Sequence, residues 1–419
     1  MTRTAHHPHP TPSFPVYCLD WADDDTLLLG GGGGASRSGI QNKLKVAKVS
    51  KDGRDVKYKS EVLLSNEEDA PMTIAVDTAG KQLITGINAS SSSVQEGSND
   101  HCRVYSFSDT SVELVKGQKT ITAEWSDDYP YQKLTALSPS ADLLAVGTTD
   151  DKVSLLHYPS LETAIPTFST DSELVDLDWG GPNGSWLAVT TAKTLLLYRV
   201  GSEKKSELEL KQTIYTPSLD IVPAAFRSAR FSRNASSTLT IHAVLNATKS
   251  AKRGAPRKAF VVTFGIVSGP SKAALTEEEK KTDEKQAKEG VPERSEKADS
   301  EEDVGKWDVV ARREVGGKPV TVFDASADGK LLAYGCSDLS IGILDSKTLA
   351  PLLKILHAHS FPPTALKFNP SASLLVSASA DNTIRAIVVP ASFGGVSATV
   401  IALLLAILVL ILALVLRSR

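Results

Sequence analysis

The chain has 419 residues, 41% of them hydrophobic and 23% charged, with a formal net charge of -3 at pH 7. That length holds two or three ordinary domains or one large repeat array. The near-neutral balance supplies no basic face for nucleic acid, and three well-separated cysteines (Cys18, Cys102, Cys336) point to a reducing compartment and idle, buried thiols rather than a disulfide framework.

Residues 1–13 are rich in His and Pro and lack an apolar core, so they read as a disordered tail and not as a secretory leader. His6, His7 and His9 have no second cluster of metal ligands near them in the sequence. An apolar strand at Thr26-Leu27-Leu28-Leu29 then runs into five glycines, residues 30–34, followed by Ala-Ser-Arg-Ser-Gly-Ile-Gln-Asn up to Asn42 and a second strand from Lys43. A phosphate-binding loop needs Lys followed by Ser or Thr and a helix start; here a strand follows, and a dinucleotide fingerprint fails for the same reason. Two readings remain open. One is a flexible connection between two strands, although hairpins usually turn in two to five residues. The other is a rigid protruding loop that delivers backbone groups and one side chain to a partner.

Further along, three segments share one pattern. Leu143-Leu144-Ala145-Val146-Gly147-Thr148-Thr149-Asp150 resembles the stretches from Leu331 to Asp338 and from Leu374 to Asp381. The last two are offset by 43 residues, and Trp186-Leu187-Ala188-Val189 lies 43 residues after the first. That period marks four-stranded propeller blades of the WD type. Alternating openings near Val16, Met72, Leu134, Leu174, Ala225, Val320 and Ala365 predict seven blades over residues 14–390. The last blade shows three clear strands. Asp150, Asp338 and Asp381 fall in the turns between second and third strands, where backbone bonding is their expected role. Two insertions interrupt the array: a Ser-rich loop, residues 89–99, expected to be mobile, and a Lys/Glu mixture, residues 271–305, which cannot bury a core.

A short linker, residues 391–395, leads to residues 396–416, which carry no charge. As a helix they would reach about 31 Å against a hydrocarbon core of about 30 Å. They read as a transmembrane helix, with residues 417–419 as a lumenal tail and the propeller facing the cytosol. Arg417 and Arg419 lie on the side that the positive-inside bias disfavours, but a folded propeller cannot easily cross instead.

Phe14-Pro15-Val16-Tyr17, an apolar strand, four glycines and then Gly-Ile-x-Asn resemble the membrane-anchored WD-repeat guanine nucleotide exchange factors for the Sar-type small GTPase, the prolactin regulatory element-binding protein family. The resemblance covers the whole plan: motif in the first blade, degenerate seven-bladed all-β propeller, membrane span after the last blade. It implies a protein that starts COPII coat assembly at the endoplasmic reticulum membrane, acting on a GTPase with no covalent chemistry and no small-molecule substrate of its own. It further implies that the loop wraps a potassium ion through carbonyls of Gly31, Gly32, Gly33, Gly34 and Gly39 and carries Ile40 and Asn42 to the GTPase; Ile40 is expected to wedge into an apolar pocket of a switch region, while Asn42 and the glycine carbonyls fix the loop. The lumenal domain that some members carry beyond the span, and with it any lumenal function, is not expected here. The alternative is a membrane-tethered scaffold that catalyses nothing. No nucleophile–base pair can be placed, so a hydrolase is a remote third reading.

Overall fold

Alternating strands with one turn residue at each end cannot bury both faces alone, so they stack into radial sheets. The computed structural model describes residues 4–35, 39–201, 207–217, 222–233, 239–250, 255–267 and 305–393, together with Ala406. They form seven four-stranded antiparallel sheets arranged as a propeller. Innermost strands begin at Val16, Ile74, Gln132, Leu174, Ala224, Val320 and Pro363, each within two residues of the opening expected for its blade.

Second strands such as Leu143–Thr148 and Leu374–Ser379 are buried at every position, because each is covered by a neighbouring blade on both faces. The core therefore lies between blades. Phe14, Leu19, Leu27 and Leu29 of the first blade pack on Leu374, Val376 and Ile384 of the seventh. All three cysteines are free and buried. Burial pushes the Cys102 thiol up to about 12 and the Cys336 thiol up to about 11, and it drives the Cys18 thiol upward as well.

The N-terminal segment is not a disordered tail throughout. His6–Pro10 forms the outermost strand of the seventh blade, antiparallel to Thr383–Val388, and supplies the fourth strand that the sequence pattern lacked. Pro8 and Pro10 face outward there. An edge strand needs donors on its inner side only, so missing amide protons cost little. His9 Nε2 meets the Gly53 carbonyl at 2.8 Å, tying this strand to the first blade.

The Ser-rich insertion carries local structure. Ser91–Gln95 forms a short helix capped by Ser90, whose hydroxyl accepts the Ser93 amide at 3.3 Å. Buried Asn99 closes the insertion by accepting the Ala89 amide at 2.9 Å. The charged insertion leaves the fifth blade between strands Ala259–Val267 and Lys306–Gly316. Apart from Gly305, it lies outside the described residues, as do residues 396–416 apart from Ala406. Among the described residues no helix is long and apolar enough to cross a membrane.

We call the strands A to D from the axis outward. Their antiparallel order puts every B–C turn and D–A crossover on one face, and every A–B and C–D turn on the other.

Candidate protein-interaction site

The glycine segment is the B–C turn of the first blade, between strands Thr26–Gly31 and Lys43–Val49. Gly31 still belongs to the sheet, paired with Val16 on one side and Lys43 on the other. A Cβ on Gly31 would stand 2.0 Å from the Pro15 carbonyl oxygen, and one on Gly32 would stand 2.3 Å from Asn42 Oδ1. These two glycines are thus required by close packing of the loop base. The Gly32 amide donates to the Pro15 carbonyl at 3.0 Å, which explains why Phe14-Pro15-Val16-Tyr17 accompanies the glycines.

Asn42 is fully buried. Its Oδ1 accepts the Gly34 amide at 2.8 Å, and its Nδ2 donates to the Glu68 carbonyl at 2.7 Å. Its own carbonyl accepts the Leu64 amide at 2.9 Å. Asn42 therefore clamps the loop to the crossover between blades one and two. Fixing the loop is the role expected of Asn42, and its burial keeps it from the surface. Ile40 is half-buried, while Ala35, Gly39 and Gln41 are exposed. Gly34 and Gly39 take φ of +68° and +76° with open space around them.

Beside the loop lies a recess of about 320 Å³ bordered by Tyr17, Gly33, Gly34, Asp69, Met72 and Asn88. Burial pushes the Asp69 carboxyl up, with a hydrogen bond from Asn88 opposing it. Pattern reasoning had no means of finding Asp69, Glu68 or Met72, because they come from a crossover that shares no motif with the loop.

Charge is unevenly spread around the loop. Crossovers and turns of the second and third blades expose Glu96, Asp100, Glu124, Asp127 and Asp128 beside one lysine, Lys119, on the B–C face, whereas the fourth, fifth and sixth expose Lys193, Lys249, Arg257 and Lys318 among the described residues. The same face carries exposed apolar side chains, among them Met72, Tyr215, Leu356 and Phe361.

Around the axis, equivalent positions of the inner strands carry Asp178, Arg230, Asp324, Lys367 and Asp20 on blades four, five, six, seven and one, while blades two and three place Ala75 and Ala136 there. The signs alternate. Asp178 accepts the Phe231 amide at 2.8 Å and Asp324 accepts the Phe368 amide at 3.0 Å, so each carboxylate reaches the next blade. Burial pushes the Asp20 and Asp178 carboxyls up, against Lys367 and Arg233 respectively, and Asp324 pushes Lys367 up. These charges are paired for stability and hold the platform together.

The turn aspartates divide. Asp338 Oδ1 accepts the Ser340 amide at 3.1 Å and Asp381 Oδ1 accepts the Thr383 amide at 3.0 Å. Asp150 instead accepts the Thr148 hydroxyl at 2.5 Å and pairs with Lys152 at 2.7 Å. In the seventh blade the network is fuller: His359 Nδ1 lies 3.3 Å from Asp381 and 3.0 Å from the Thr383 hydroxyl, with Nε2 2.8 Å from the Ser377 hydroxyl. Among the described residues no group of three His, Cys, Asp or Glu side chains could hold a metal ion.

Residues 350–386 match the family described as WD domain, G-beta repeat. The matched stretch contains the His359–Ser377–Asp381–Thr383 network, and the other blades deviate from that pattern; the fourth, for instance, carries Ala192 where an aspartate would stand. One such repeat inside a propeller of seven four-stranded sheets supports a WD-repeat protein.

Proposed function

We propose that this protein is a guanine nucleotide exchange factor for a Sar-type small GTPase, anchored at the endoplasmic reticulum membrane. The coarser reading, a protein-interaction scaffold, follows from the WD-repeat propeller itself. The finer one is carried by a single observation: the glycine loop is clamped at its base by Pro15 and Asn42 and exposes its far part on the B–C face.

Exchange needs no acid or base. A factor that binds the nucleotide-free GTPase more tightly than the loaded one weakens nucleotide binding by reciprocity. In this reading Ile40 is the side chain that wedges into the GTPase, Asn42 is a positioning residue, and the clamp limits the entropy lost on docking. Potassium is carried over from the resemblance: Gly33 and Gly34 border one recess with Asp69 and Asn88, and main-chain carbonyls suit a weakly hydrated monovalent cation. Gly33, Gly34 and Asp69 would hold it, and the ion would stiffen the loop. Gly31 and Gly32, fixed by the sheet and by Asn42, are assigned to packing.

The test is GDP release from a purified Sar-type GTPase with residues 1–393, in potassium and in sodium buffer. Accelerated release, faster in potassium, supports the reading. Stoichiometric binding without acceleration reduces the protein to a scaffold.

A further inference from the structure

Strand Thr383–Val388 is the third of its blade, so it runs from the B–C face to the A–B face, and the chain leaves the propeller on the A–B face. Its exit is held in place. The Val389 amide donates to the Ser373 carbonyl at 2.9 Å, Val389 is buried, and Phe393 packs against the core between blades six and seven. Val389, Pro390, Ala391 and Phe393 line a recess of about 520 Å³ on this face. Only Gly394 and Gly395 separate Phe393 from the uncharged residues 396–416, and two residues reach at most about 7 Å.

We infer that the A–B face of the propeller is apposed to the lipid bilayer and that the glycine loop points away from it. The inference rests on residues 396–416 spanning the membrane, as read from their sequence. Strands of about six residues, such as Thr383–Val388, put roughly 20 Å between the two faces. The loop is therefore offered to a partner arriving from the aqueous side, and a partner lying on the same bilayer must rise above the wheel to reach it. Strand Ala259–Val267 ends on this same A–B face, and strand His6–Pro10 begins there.

The three native cysteines are buried with their thiols pushed up, so a maleimide fluorophore reports an introduced cysteine selectively. Full-length protein is reconstituted into phosphatidylcholine vesicles with or without nitroxide-headgroup lipid. Lys347→Cys and Ser371→Cys lie exposed on the A–B face, Met72→Cys and Phe361→Cys on the B–C face. The expected result is loss of most fluorescence from the first pair and little from the second. Equal quenching of the two pairs, or stronger quenching of Met72→Cys and Phe361→Cys, overturns the inference. So does a chain that fails to float with vesicles, which removes the anchor but leaves exchange to be judged separately on the soluble propeller.

Discussion

Asn42 Oδ1 holds the Gly34 amide at 2.8 Å while Nδ2 of the same amide holds the Glu68 carbonyl at 2.7 Å, from inside a fully buried site. Replacing Asn42 with Ala strands both partners. A buried unsatisfied polar group costs about 1–3 kcal/mol, so Asn42→Ala is expected to lower the thermal midpoint and to slow exchange together. Asn42→Asp keeps the acceptor for Gly34 and loses the donor, and should fall between the two. Differential scanning fluorimetry with GDP release on the same samples checks the order.

Ile40 separates contact from support. Because it is half-buried in an exposed loop, Ile40→Asp is expected to leave the unfolding free energy within about 0.5 kcal/mol of the parent, the usual range for surface changes. Nucleotide release should meanwhile drop toward the uncatalysed rate. Parent-like release from a folded Ile40→Asp protein would remove this residue from the mechanism.

Asp176 ties two blades together near the axis. It is buried and accepts from the Ser228 hydroxyl, the Ala229 amide at 3.0 Å and Arg230, all on the neighbouring blade. Removing one partner of a buried pair costs about 3–5 kcal/mol. Asp176→Ala should therefore destabilise far more than truncation of the exposed Asp127, by urea unfolding of the soluble propeller.

Acid should weaken the fold through its histidines. Burial lowers His101 and His242 to about 4, and it lowers His359 too, although Asp381 opposes it there; His6 is lowered by burial and by Arg385. The unfolded chain then takes protons that the native one refuses, so the stability is present above the ordinary histidine value of about 6.5 and is lost as pH falls toward 4. For His101 and His242 the loss by pH 4 is about 3 kcal/mol each. Thermal midpoints are expected to be level near pH 7 and to drop steadily below pH 6.5, and His242→Gln should reduce that slope.

Legibility in the sequence followed the range of the interactions. Seven blade openings were visible because each is a local alternation with a turn residue behind it. Asp150, Asp338 and Asp381 were assigned correctly to their turns for the same reason. His6–Pro10 was not visible, since five residues of His and Pro carry no apolar alternation and their partner lies at Thr383–Val388. The glycine loop announced itself as unusual and Pro15 lay within the same motif, yet the other half of its clamp comes from Glu68, which no motif spacing connects. Asn42 was legible as the residue that fixes the loop because it closes the motif, but its partner Glu68 was not. The alternating ring from Asp178 to Asp20 was equally hidden: each member is one unremarkable residue, and only the circular arrangement of blades sets opposite signs side by side.

Pairing of His6–Pro10 with Thr383–Val388 also fixes when the protein can mature. The first strand to leave the ribosome must wait until nearly the last has been synthesised, so the wheel stays open, with unsatisfied strand edges at its gap, through most of translation. Such edges invite association with other chains. Nascent chains stalled before residue 383 should accordingly be bound by chaperones and cut by protease, and release of the completed chain should end both.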